Sequence, residues 1–243
     1  MLKVNDLVGY KNRKIFQDDN YFCFSVDAVF LANFTTLKKA TKKVLDIGTG
    51  NAPIPLILTL RKEDLSIDAV EIQEELMKLA EQSVKENHLE ENIKVIHRDI
   101  LDYYKETEGN TYDLIVCNPP FFKITTETKF SIGKQKRNAR HEVYIKLEDY
   151  FKVAKKLLKN NGILSMIHRS ERFLEIIELY QKYDIAPTRV KFIHSDSKSI
   201  SKLFFIEGIK SSKSSLKIEN PFIICDDKGQ ETKEYKELLE KVM

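Results

Sequence analysis

Asp113-Leu114-Ile115-Val116-Cys117-Asn118-Pro119-Pro120-Phe121-Phe122 is the stretch on which the fold turns. Leu114 to Cys117 is a short apolar run with β-branched residues, the composition of an interior strand in a parallel sheet. Two prolines then remove two backbone donors in succession, so the strand ends there. The residue before a proline is pushed to extended geometry, which fixes how Asn118 leaves the strand. The result is an amide, stiff backbone carbonyls and an aromatic ring at the carboxyl end of a strand. That is the end at which open α/β sheets bind ligands.

Such a cluster suits a planar NH2 group. Asn118 offers one acceptor oxygen and the Pro119 carbonyl, stiffened by Pro120, a second. Holding both N–H bonds toward fixed acceptors favours the pyramidal, attacking form of an otherwise weakly nucleophilic nitrogen. Phe121 can stack on the ring that carries the amine. A bare Pro-Pro turn beside two core phenylalanines accounts for the same residues without chemistry, so the rest of the chain must decide.

Upstream, Val44 to Ile47 reads as a strand, Gly48-Thr49-Gly50-Asn51-Ala52-Pro53 as a turn and Ile54 to Leu60 as an apolar helix. Strand, glycine turn, helix is a nucleotide-cofactor cradle, because the glycines allow close backbone approach and the helix start offers free N–H groups. A second strand, Ser66 to Val70, ends in Glu71, a carboxylate placed to accept two ribose hydroxyls. The helix Glu74 to Asn87 follows, with Leu76, Leu79, Ala80 and Val84 on one face. A third strand, Ile93 to Ile96, runs into Asp99, which can accept from an adenine amine, while Ile72 and Ile100 can sandwich the ring. Asp46, Glu71, Asp99 and Asn118 therefore close, or sit just past, four successive strands. Each alone reads as a turn or cap residue; the four together are a sharper signal.

Downstream, Lys123, Lys129, Lys134, Lys136, Arg137 and Arg140 face the single acid Glu127, an electrostatic footprint for a polyanion beside the site. A helix is predicted from Arg140 to Leu158, ended by Asn161-Gly162, then a strand at Ile163 to Ile167 and a helix from Glu171 to Tyr183 capped by Ser170. Arg189 to Ile193 and Leu203 to Glu207 form a hairpin. Residues 1–20 show no clear period; Ser25 looks like the cap of a helix carrying Val26, Val29, Phe30 and Phe34, and Tyr21 to Phe24 can cover a ligand. Ser211 to Ser215 reads as a linker, Phe222 to Ile224 as a short strand and Glu231 to Lys241 as a solvated helix.

Length and composition narrow the class. The chain has 243 residues, 42% of them hydrophobic, enough for a substantial core. No run of about 18 apolar residues suggests a membrane span. Net charge is +3, and three scattered cysteines argue against a disulfide framework. No Cys/His pair has zinc spacing. These features predict a cytoplasmic, metal-free protein.

These residues resemble the class I S-adenosylmethionine-dependent methyltransferases over roughly residues 20 to 210. The resemblance implies a Rossmann-like, doubly wound α/β fold whose seven-stranded sheet is mostly parallel with its last strand antiparallel. It implies S-adenosyl-L-methionine as cofactor, held by Asp46, Gly48, Gly50, Asn51, Glu71, Ile72, Asp99, Ile100 and Asn118, with Asn118, Pro119, Pro120 and Phe121 at the reacting amine. Asn-Pro-Pro-Phe resembles the amino-methyltransferase signature, used on adenine N6, guanine N2 and glutamine amides. Phe22 to Ala32, Asp46 to Asn51 continuing into Ile54-Pro55-Leu56, and Asn118 to Phe122 followed by Arg140-His141-Glu142 are similar to the subgroup that methylates N6 of adenine 37 in valine tRNA. Two departures stand out: Ala52 where relatives often have glycine, and Phe121 in place of the commoner tyrosine. The implied organisation is an N-terminal extension over 1–40, a methyltransferase domain over 41–210 and a tail over 211–243. The implied partner is tRNA, gripped by Lys123 to Arg140 and the lysines of the tail, in an oligomeric state left open. The alternatives are an amino-methyltransferase acting on ribosomal guanine or a protein glutamine, and a catalytically silent RNA-binding adaptor.

Overall fold

A computed structural model describes residues 2–8, 10–18, 20, 26–119 and 145–239. The expectations that fall on Ser25, Tyr21 to Phe24, Pro120, Phe121 and the basic residues Lys123, Lys129, Lys134, Lys136, Arg137 and Arg140 lie outside the described residues.

Alternating strands and helices build the centre of the molecule. They are β3 (Lys43–Ile47), α2 (Pro53–Arg61), β4 (Ser66–Glu71), α3 (Glu74–Glu86), β5 (Ile93–His97), α4 (Ile100–Glu106) and β6 (Tyr112–Cys117), then α5 (Leu147–Leu157), β7 (Leu158–Arg169), α6 (Phe173–Lys182), β8 (Ile185–Asp196) and β9 (Leu203–Lys210). The sheet order along this part is β8-β9-β7-β6-β3-β4-β5. β3 to β7 pair in parallel, and β9 runs antiparallel to both β7 and β8. The seven expected strands are all present, with the last one reversed.

Two cores flank the sheet because successive strand residues point to opposite faces. Val44, Leu114 and Val116 face a layer that includes Phe30 and Ile57, whereas Leu45, Ile115 and Cys117 face one that includes Tyr150, Phe151 and Tyr180. Strand order reverses between β3 and β6, so the connections leaving these two neighbours diverge and open a crevice at their carboxyl ends.

Several local expectations are corrected. Residues 1–20, whose sequence shows no clear period, contribute a hairpin, β1 (Leu2–Leu7) and β2 (Tyr10–Asp18). Its anchor is mostly main chain: the Lys14 N–H donates to Asn87 Oδ1 at 2.9 Å and the Phe16 N–H to the Ser83 hydroxyl at 3.0 Å. α5 starts at Leu147, not at Arg140, since Lys146 is extended and its N–H donates to Asp149 Oδ2 at 3.1 Å. Asn161-Gly162 does not follow a helix: Asn161, at φ 63°, lies inside β7, where pairing with β6 shifts register. Ser170 makes no cap. It opens a 3₁₀ turn, and its hydroxyl meets that of Ser201 at 3.1 Å.

α1 (Val26–Phe34) lies against α2 and β7. Beyond β9, β10 (Lys217–Ile218) and β11 (Phe222–Cys225) both pair in parallel with β8, and α7 (Lys233–Leu239) packs on β11. Phe222 sits between the rings of Phe30 and Phe34 at 5.3 and 5.4 Å, and Arg189 bonds both Glu207 and Glu219, fastening this segment to the core.

Candidate active site

The turn after β3 folds back on β4. The Gly48 and Thr49 N–H groups both donate to the Val70 carbonyl, at 2.9 and 3.0 Å. Gly48, Gly50 and Ala52 all have left-handed backbones, with φ of 72°, 60° and 69°. Glycine takes that conformation freely and alanine does so at a cost of about 1–2 kcal/mol. A Cβ built on Gly48 or Gly50 meets nothing within 4 Å among the described residues. Glu71, buried at the end of β4, braces the turn: Oε2 accepts the Gly50 N–H and Oε1 the Gln73 N–H, each at 2.9 Å. Burial raises its pKa against those donors.

Asp46 is fully buried, and neither carboxylate oxygen meets a hydrogen-bond partner of normal geometry. Burial pushes its pKa up to about 7, opposed by the nearby Thr49 hydroxyl and reinforced by the Glu71 carboxylate. The Thr49 hydroxyl and Asn118 Oδ1 are likewise buried without a hydrogen-bond partner among the described residues. Ile47 pairs in register with Cys117, so Gly48 and Asn118 leave neighbouring strands at the same level. Strands lie about 4.8 Å apart, so the glycine turn and the amide face one crevice.

Beside the turn, a narrow, mostly apolar slot is lined by Gly48, Val70, Ile72, Asp99, Ile100 and Tyr150, among others. Ile72 and Ile100, expected to sandwich a ring, both line it. The Asp99 carboxylate caps α4, accepting the Leu101 N–H at 2.7 Å through Oδ1. Ile145 and Tyr150 also line the cavity, and sequence reasoning missed them. Tyr150 was legible only as part of the apolar stripe of α5. Asn51, expected at the cofactor, donates its amide N–H to the Phe16 carbonyl at 2.8 Å and ties β2 to the turn.

An apolar slot, an acidic end and orphaned buried acceptors fit a ligand with a flat ring, a diol and a cationic end. S-adenosyl-L-methionine has those three parts. Among the described residues, no cluster of three or more His, Cys, Asp or Glu could hold a metal ion, and no helix is long and apolar enough to cross a membrane.

Comparison with known proteins agrees with this geometry. A family described as methyltransferase small domain matches residues 24–192. The chain belongs to that family. A tRNA1(Val) (adenine(37)-N6)-methyltransferase from Flavobacterium psychrophilum is 30% identical over 232 residues, covering 94% of this chain and 95% of the relative. One of the same name from Trichodesmium erythraeum is 31% identical over 188 residues, covering 73% and 77%. The crystal structure of a predicted O-methyltransferase from Agrobacterium tumefaciens superposes with a TM-score of 0.70 at 18% identity, covering 89% of this chain and 98% of that one, and shares the fold. A methyltransferase small domain thus occupies the crevice-bearing sheet, and its matched region spans the glycine turn, the three acids and Asn118.

Proposed function

We propose that this chain transfers the methyl group of S-adenosyl-L-methionine to the exocyclic N6 of adenine 37 in valine tRNA, in the cytoplasm. The observation that carries the reading is Asn118: an amide whose buried Oδ1 has no partner among the described residues, level with the glycine turn at the switch point of the sheet.

Glu71 receives the ribose hydroxyls on the lone pairs its backbone donors leave free. Asp46 offers negative charge to the cationic end, and Ile72 and Ile100 hold the ring. Once bound, the cofactor supplies an electrophilic methyl carbon on a positively charged sulfur. The target adenine leaves its stack to reach the crevice, as base-modifying enzymes require. Asn118 Oδ1 and the Pro119 carbonyl accept the two N6 hydrogens, which localises the nitrogen lone pair and aims it at the methyl carbon. Phe121 stacks on the adenine. Lys123, Lys129, Lys134, Lys136, Arg137 and Arg140 take the phosphates. The N–C bond forms as the S–C bond breaks, and one amine proton leaves.

Incubation of a cofactor labelled on the methyl group with transcribed valine tRNA, and in parallel with ribosomes and release factors, tests this. Nuclease digestion and mass spectrometry should find one N6-methyladenosine, at position 37. Label in ribosomal guanine or in a protein glutamine, or none at all, would overturn the reading.

A further inference from the structure

β6, β7 and β8 run the same way, so Cys117, Arg169 and Asp196 finish on one edge of the sheet, and β9 begins there at Leu203. Residues 197–202 form the tip of the β8–β9 hairpin on that edge. The tip is held firmly. Asp196 Oδ1 accepts the Lys198 and Ser199 N–H groups at 2.9 and 2.8 Å, and the Ser201 hydroxyl reaches the Ile193 and Leu203 carbonyls at 3.0 and 2.7 Å. The Ser170 N–H donates to the Lys202 carbonyl at 3.0 Å, which stitches the tip to the end of β7, the strand beside β6.

A tip so well ordered nevertheless leaves apolar surface in water. Ile200 is 82% exposed, and Leu174, in the first turn of α6, is 74% exposed. Lys198 and Lys202 are exposed and form no ion pair among the described residues. The nearby carboxylates keep their charge but turn to other donors: Asp196 to the backbone as above, Asp227 to the Ser197 hydroxyl, and Asp226 to the Lys228 and Gln230 N–H groups at 2.8 and 2.9 Å, so both ammonium groups are left for an outside anion. Two free cations flanking an exposed aliphatic side chain match single-stranded RNA, which presents phosphates and unstacked base faces together.

The location agrees. The cofactor residues lie at the ends of β3, β4 and β5, so the substrate must approach over β6 and the strands beyond it. From β6 to β8 is three strand spacings, roughly 14 Å, a span that a few nucleotides of an RNA loop bridge.

We propose that the β8–β9 tip docks the single-stranded loop of the RNA substrate, with Lys198 and Lys202 on phosphates and Ile200 against a base. This rests on the tRNA reading above. The test is steady-state methylation of transcribed valine tRNA at several salt concentrations by wild type, Lys198→Gln/Lys202→Gln and Ile200→Ala. The double variant should raise KM for tRNA at least fivefold. Its slope of log KM against log salt should fall by about 1.4, two contacts at about 0.7 each for single strands. Ile200→Ala should raise KM about threefold without changing that slope. Melting temperature and cofactor Kd should match wild type in both. An active wild type alongside variants of unchanged KM and slope would overturn the tip as the docking surface. A wild type inactive on tRNA would overturn the proposed function beneath it.

Discussion

Glu71 Oε2 accepts the Gly50 N–H at 2.9 Å across 21 residues of sequence. One carboxylate thus sets the shape of the glycine turn and, in the proposed function, faces the ribose. A carboxamide has a single acceptor oxygen, so Glu71→Gln leaves either the Gly50 or the Gln73 N–H facing an NH2 group. An unsatisfied buried donor costs about 1–3 kcal/mol, partly offset here by removing a buried charge. Cofactor Kd, read by calorimetry, should rise tenfold or more while the fold persists. An unchanged Kd would remove Glu71 from the site.

Asn118→Ala separates chemistry from cofactor binding. Loss of one preorganised partner of the reacting group typically lowers kcat by about 10² to 10³. Single-turnover rates should drop by at least that much, with cofactor Kd within threefold of wild type. Wild-type turnover in this variant would end the proposal.

Two buried groups give opposite pH signatures. Asp46, with its pKa pushed up to about 7, keeps a proton that the unfolded chain has lost, so its effect on stability is a fall as pH rises from about 4 to 7. His168 is buried beside Arg172, and its Nδ1 accepts the Arg169 N–H at 2.8 Å. Burial drives its pKa down to about 4, so the unfolded chain gains the proton first and stability rises with pH between about 4 and 6.5. Each slope is on the order of 1.4 kcal/mol per pH unit, and they oppose one another over the shared range. Denaturant melts referenced to wild type should therefore tilt upward with pH for Asp46→Asn and downward for His168→Gln. A cationic ligand favours ionised Asp46, so cofactor affinity should strengthen as pH rises toward 7. Parallel curves for all three proteins would refute this.

Two glycines should fail for different reasons. Gly50→Ala places a methyl in open space at φ 60°, so it should cost about 1–2 kcal/mol of stability and much of the cofactor affinity. Gly208→Ala places one 2.6 Å from Tyr180 Cδ1 and 2.9 Å from the Ala186 carbonyl oxygen, inside a packed sheet. The second variant should lose several kcal/mol of stability, as overpacked cores do. Equal melting temperatures would contradict this contrast.

Much of the site is legible in the sequence because each part obeys a local rule. Val44, Leu45 and Ile47 are apolar where the strand is buried on both faces, and Gly48 and Gly50 stand where φ is positive. Ile72 and Ile100 converge because each follows a strand end in a regular β/α repeat. What stays hidden depends on distant partners. β2 is fixed by Asn87 and Ser83, more than sixty residues away, and leaves no period of its own. Asn161-Gly162 has the composition of a helix stop but answers to a register shift against β6. Asn51 faces Phe16, a relationship no spacing within the turn reveals.

The reversal of strand order between β3 and β6 has an evolutionary consequence. In the proposed function, donor-holding residues come from the strands on one flank, and acceptor-selecting surfaces from those on the other, with only the β3–β6 seam in common. Mutations beyond that seam can retarget methylation, from one nucleobase or macromolecule to another, without disturbing how the donor is held.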